Sequence, residues 1–198
     1  DGVFVSMNNV SELVAGGNND RIPRCLALRE ALERARRITA LADLPESLRR
    51  HPILVGNNIL LSRPAARGAL AAVLEWDGDS QDNGVTLRSS EERDGAEAIF
   101  CTNHHISRGG QSPEAGSLGR YCAMREEVGR FLTAEKQIGS LQEARQVLAR
   151  AAGAKTLHSV VVWPATRRWA LALSPGEGKP AVDQPWVEFS WWDVMPMP

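Results

Sequence analysis

The sequence predicts an α+β fold with mostly antiparallel sheets, and three observations predict it. Strand-length apolar runs follow one another, first between Ile53 and Cys101 and again between His158 and Trp192. Helical patterns come in pairs, between Pro23 and Arg50 and between Ser117 and Ala151, instead of alternating with strands. Short turn-forming stretches join neighbouring runs, which suits hairpins rather than the long crossovers of a parallel sheet.

Taken in order, Val3 to Met7 reads as a core strand and Asn8 to Asp20 as a polar loop rich in Asn and Gly. A chain that opens inside a strand, without an initiator Met, reads as the later part of something longer, either a fragment or a processed subunit. Pro23 is expected in the first turn of a helix. Leu26, Leu28, Ala31, Leu32 and Ala35 give that helix its apolar face. Thr39 to Arg50 suggests a second, shorter helix, interrupted by Pro45. Ile53 to Ser62 and Gly68 to Trp76 should pair through a connection at Arg63 to Arg67, with Val85 to Arg88 and Ala96 to Cys101 continuing the sheet. Ser117 to Ala134 is a predicted helix. Ser140-Leu141-Gln142-Glu143 is a capping box that opens another. Leu141, Ala144, Val147, Leu148 and Ala151 line its inner face, and Gly153 ends it. His158 to Trp163 and Trp169 to Ser174 form a hairpin, and Trp186 to Trp192 a last strand. The 198 residues are expected to make one domain.

Composition narrows the function classes. Hydrophobic residues are 43% and charged residues 24% of the chain, and the formal net charge is −1. A nucleic-acid binder would show a basic excess, so nucleic acid is not an expected partner. The Arg clusters (Arg34, Arg36 and Arg37; Arg49 and Arg50; Arg167 and Arg168) are interleaved with Glu or apolar residues and read as solvated faces. No apolar run approaches the ~20 residues of a membrane span. Cys25, Cys101 and Cys122 are odd in number and irregularly spaced, which is neither a disulfide framework nor a paired metal motif. Reduced thiols lean towards a cytoplasmic setting, though the compartment stays open. The six Trp residues read as core filling, with an apolar groove as the alternative for Trp186, Trp191 and Trp192.

The most informative tract is Phe100-Cys101-Thr102-Asn103-His104-His105, where a predicted strand breaks into a polar, Gly-rich loop. Polar side chains at a strand end are held by the strand and left open by the loop. A zinc site from Cys101, His104 and His105 is set aside: adjacent His side chains diverge from an extended chain, and a full ligand set is lacking. No metal and no cofactor are expected.

Four features stand in a fixed order: Val3-Phe4-Val5-Ser6-Met7-Asn8; the helix pair opened by Ile22-Pro23-Arg24, with the strands Gly56 to Leu61 and Ala72 to Trp76 after it; Thr102-Asn103-His104; and Ser117-Leu118-Gly119-Arg120. A distal Thr156 to Val161 strand with its hairpin completes the run. This succession resembles the N-terminal-nucleophile (Ntn) hydrolases that cleave linear amides. These are the acyl-CoA:6-aminopenicillanate acyltransferase-like proteins, the choloylglycine hydrolases and the acid ceramidase-like amidases. The penicillin acyltransferase-like branch is nearest, on the Thr-Asn-His tract. The resemblance covers nearly the whole chain but only the later part of the family.

The resemblance implies a four-layer αββα sandwich and a catalytic Cys exposed as a new N-terminus by self-cleavage. The α-amine, with a pKa near 8, can then act as base for a thiol near 8.5. Asn8 and Asn103 would be the oxyanion and nucleophile-orienting amides, and Arg120 the active-site Arg of the later motif. His104 and Ser117 would line the substrate site, although Ser117 equally fits a simple helix N-cap. The nucleophile would come from a missing upstream segment or a companion chain. Cys101-Thr102 is not taken as a mature N-terminus, because it leaves too little chain downstream for both sheets. Cys101 is instead expected to be a buried strand residue, and Cys25 and Cys122 to be structural. The implied function is hydrolysis or acyl transfer at linear N-acyl amides: acylated amino acids, peptides, β-lactam-like compounds or fatty amides. A homo-oligomer stays open. The alternative is a non-catalytic α+β binding module that kept the scaffold without the chemistry.

Overall fold

The structure is a computed structural model and describes residues 4–14, 22–34, 44–49, 51, 53, 55–62, 71–77, 84–89, 98–108, 115–134 and 138–194. It is α+β, with one four-stranded and one three-stranded antiparallel sheet. The chain divides into two compact units, Val3–Leu118 and Gly119–Pro198.

In the first unit β1 (Phe4–Val14), β2 (Val55–Ser62), β3 (Ala71–Trp76) and β4 (Val85–Ser89) lie side by side in sequence order. The expected pairing of β2 with β3 is present, although its 63–67 connection lies outside the described residues. Helices α1 (Arg24–Arg34) and α2 (Leu44–Arg49) cover one face of this sheet. Pro23 stands just before α1 and contributes its carbonyl, which accepts from the Leu26 and Ala27 N–H groups. Proline can do this because only its own N–H is missing. The buried face of α1 is Ala27, Leu28 and Ala31, whereas Leu26 is exposed. Ala27 therefore takes the inward place expected of Leu26.

Residues alternate across each strand, so a single register defines two faces. Met7, Ile59, Leu74 and Leu87 stand opposite one another across all four strands. They pack with Ala27, Leu28, Leu44, Leu48 and Trp76 into the apolar core. The next residue on each strand gives the opposite face: Asn8, Asn58, Glu75 and Thr86.

Two expectations change here. β1 runs on to Val14, so Asn8 is a mid-strand residue and not the start of a loop. Residues 98–101 form no strand, so the expected extension of the sheet to Cys101 is absent. Instead the Phe100 carbonyl accepts from the Arg88 side chain, and the Thr102 carbonyl just after the segment accepts from Asn58.

The second unit holds most of helix α3 (Ala115–Thr133), then α4 (Leu141–Ala149), β5 (His158–Trp163), β6 (Arg168–Leu173), β7 (Val187–Ser190) and a helical turn α5 (Trp191–Val194). The capping box at the start of α4 is formed as expected: Ser140 Oγ accepts from the Glu143 N–H, and Glu143 accepts in return from the Ser140 N–H. Strand β6 is central, and its turn from β5 places Arg167 at a φ of 55°. One face of this sheet buries Ser159, Ala170 and Ala172. On the other, Trp169 stacks with Phe189 at 6.1 Å and Trp191 at 6.4 Å. The last strand is shorter than expected, because the chain turns helical at Trp191. Trp76 fills the core, but Trp191 and Trp192 are exposed.

Candidate functional site

Asparagine and glutamate are poor choices for the middle of a buried strand, since each carries polar atoms that burial leaves without water. Asn58, Glu75 and Arg88 are nevertheless about 1% exposed or less. Most of their hydrogen-bond partners come from the irregular tract 98–108, which lies over the polar face of the sheet.

Glu75 is the centre. Its carboxylate accepts from the backbone N–H groups of Ile106 at 2.9 Å, Ser107 at 2.7 Å and Arg108 at 3.0 Å. Arg88 Nε donates to the same carboxylate at 3.3 Å, and another Arg88 nitrogen donates to the Phe100 carbonyl. Asn58 Nδ2 donates to the carbonyls of Thr102 at 2.8 Å and His104 at 2.6 Å. Asn58 Oδ1 has no hydrogen-bond partner among the described residues.

The far side of the tract is tied to the first turn of α3. Thr102, His104 and Ser117 form a closed triangle: Thr102 Oγ1 to His104 Nδ1 at 3.1 Å, His104 Nδ1 to Ser117 Oγ at 2.8 Å, and Ser117 Oγ to Thr102 Oγ1 at 3.0 Å. Ser117 Oγ also accepts from the Asn103 N–H at 2.8 Å. Ser117 is the third residue of α3 and turns its hydroxyl onto the tract, so the alternative of a simple N-cap does not hold. Its hydroxyl serves a segment fourteen residues earlier in the chain.

Two side-chain amides link β1 to the tract. Asn103 Nδ2 donates to the Asn9 carbonyl at 2.7 Å. Asn8 Nδ2 points at Cys101 Sγ, 3.5 Å away. Asn8, Asn103, His104 and Ser117 are therefore brought into one neighbourhood of the first unit, from positions more than a hundred residues apart in the extreme case. Arg120 lies half-buried on α3 and belongs to the second unit.

The electrostatics separate the two thiol and imidazole candidates from ionised chemistry. Burial pushes the Cys101 thiol up to about 11, Arg88 and the Asn8 hydrogen bond pull it down, and Glu75 pushes it up again. At neutral pH it is a thiol, a poor nucleophile. Burial also holds the His105 imidazole below its usual value, against Glu75, the Asn57 hydrogen bond and Asp77, which raise it. Its Nε2 lies 3.2 Å from the Asn57 carbonyl, which can only accept, so Nε2 carries the proton. Cys25 and Cys122, expected to be structural, are exposed on α1 and α3. Among the described residues no three His, Cys, Asp or Glu side chains gather as metal ligands, and no helix is long and apolar enough to cross a membrane.

The sequence singles out Asn8, Asn103, His104, Ser117 and Arg120 but not Glu75, Arg88 and Asn58. A signal was there: Glu75 sits between Leu74 and Trp76 in an otherwise apolar strand. A charge at a core position asks for a partner. No family model, curated protein or solved structure matches the chain.

Proposed function

We propose that this chain carries the donor side of a Cys-dependent Ntn amidohydrolase or acyltransferase acting on linear N-acyl amides. The observation that carries the reading is that Asn103 is anchored on the Asn9 carbonyl, next in the chain to Asn8, whose own amide lies against Cys101. Attack on an amide carbonyl creates a tetrahedral oxyanion, which needs fixed donors already in place. A carboxamide suits this role, being neutral and bearing two N–H groups, and Asn103 has one committed to Asn9 as an anchor. The attacking thiolate is not Cys101, whose thiol stays protonated. It comes instead from a Cys at a processed N-terminus on another segment or a companion chain, with its own α-amine as base. On this reading Arg120 has a charge-assisted hydrogen-bonding role, and the family's αββα sandwich is the fold expected of the complete enzyme. Water or an amine reaching the thioester decides between hydrolysis and transfer.

A specific observation favours a second reading, a non-catalytic module. Asn58 and Asn103 both spend amide hydrogens on backbone carbonyls, which is what purely structural Asn residues do.

Intact-mass and N-terminal analysis of the natively produced protein, followed by a panel of N-acyl amides, separates the two. The enzyme reading expects a Cys-initiated chain and turnover. Asn103→Ala then lowers turnover by ~10²-fold or more with little loss of folding, as loss of an oxyanion donor does. Unchanged turnover removes Asn103 from the site. A native product with no Cys-initiated chain and no turnover of any amide supports the module.

A further inference from the structure

We infer that Glu75 is the positioning residue of the whole 100–108 tract, a carboxylate latch that sets where Asn103 and His104 stand without touching a substrate. The inference rests on the proposed donor role of Asn103 for its catalytic consequence, but the latch itself is independent of any chemistry.

The argument is one of accounting for backbone groups. A segment without helix or strand must find partners for its buried N–H and C=O groups elsewhere. Six of those groups in this tract are met by three buried side chains from one face of the sheet. Glu75 takes the N–H of Ile106, Ser107 and Arg108, Asn58 serves the carbonyls of Thr102 and His104, and Arg88 serves that of Phe100. Asn58 and Glu75 are direct cross-strand neighbours, and Arg88 pairs with Glu75, so the three act as one unit. Three successive N–H groups converging on one carboxylate make an anion-binding nest filled from within the protein. Asn103 lies between the carbonyls held by Asn58, the cross-strand neighbour of Glu75, so the latch bears on it through Asn58.

The end of the tract gives a control. The Arg108 guanidinium lies against Gly84, where an added Cβ would sit 1.8 Å from one of its nitrogens. Gly84→Ala must therefore displace that side chain, and it should leave the Glu75 hydrogen bonds to the backbone in place.

Amide hydrogen exchange on the protein as produced tests the latch. In the unaltered protein the amides of Ile106, Ser107 and Arg108 should be protected despite lying outside helix and strand. Exchange at the rate of a free loop overturns the inference before any variant is made. Glu75→Gln, which keeps the shape but weakens the acceptor, should speed exchange at these three amides by ~10-fold or more. The amides of Ile59 and Leu74 should be unchanged, and Glu75→Asp should behave as Glu75→Gln because its carboxylate falls short. Gly84→Ala should leave the three amides protected. If Gly84→Ala releases them and Glu75→Gln does not, the Arg108 side chain is the latch and Glu75 is not. Where an N-acyl amide is turned over, Glu75→Gln should lower kcat while KM stays within about twofold, the signature of a displaced donor. An unchanged kcat with faster exchange refutes the catalytic consequence and leaves the latch. Absence of turnover in the unaltered protein refutes only the proposed function.

Discussion

Leu74 and Glu75 are neighbours on one strand, and they do opposite work. Leu74 belongs to a rung of four apolar residues that packs under α1 and α2. Glu75 belongs to the next rung, which holds an irregular segment by its backbone. The apolar rung is indifferent to detail, since burial energy depends on area and fit and has no direction. The polar rung is all detail: every contact has a donor, an acceptor and an angle. Both residues are fully buried, so burial alone does not distinguish a core position from a site-building one. What distinguishes them is the partner.

The sharpest way to break this comparison is to treat the Glu75–Arg88 pair as if it were core. In many proteins a buried ion pair can be replaced by apolar residues without loss. Here the double variant Glu75→Met/Arg88→Met should stay destabilised by about 3 kcal/mol or more, because three N–H groups and one carbonyl lose their partners at ~1–3 kcal/mol each where they stay buried. Denaturant melting checks this, and a double variant as stable as the parent would reduce the polar rung to ordinary core. The apolar rung should behave conventionally. Leu74→Ala should cost about 2–5 kcal/mol with the exchange pattern of residues 106–108 preserved up to global unfolding.

A smaller effect concerns Cys101, which lies at the margin of the polar rung beside Asn8. With its thiol raised to about 11 from an ordinary 9.0, iodoacetamide should label exposed Cys25 and Cys122 first and reach Cys101 at half its limiting rate only near pH 11. The linked stability follows in sign. A thiol held neutral by the fold contributes fully below pH 9, and that contribution is lost as pH rises through 9 towards 11. Fast labelling of Cys101 at pH 8 in folded protein would mean that Arg88, not burial, governs it.

Much of this architecture is legible in the residues themselves. The capping box at Ser140, the hairpin of β5 and β6 and the pairing of β2 with β3 follow from local patterns of period two, turn residues and caps. Those signals act over a few residues, so they survive without knowledge of the rest of the chain. The errors fall where distant groups decide. Residues 98–101 are apolar enough to read as a strand, but the side chains of Arg88 and Asn58 take the carbonyls of Phe100 and Thr102, so no ladder forms. Leu26 was the better candidate for the inner face of α1 by hydropathy, yet the sheet beneath accepts Ala27.

The candidate site divides in the same way. Asn103 and His104 stand out in sequence as polar residues after an apolar run, whereas Asn8 and Ser117 are marked only by the resemblance to a known family. That Asn103 is anchored on Asn9, that Ser117 closes a triangle with Thr102 and His104, and that Glu75 fastens three consecutive amides are decided only by tertiary structure. The physical reason is reach. Propensity and periodicity are set by a residue and its near neighbours, whereas a buried polar group is stable only when a partner arrives at the right distance and angle. In this chain those partners come from as many as 94 residues away.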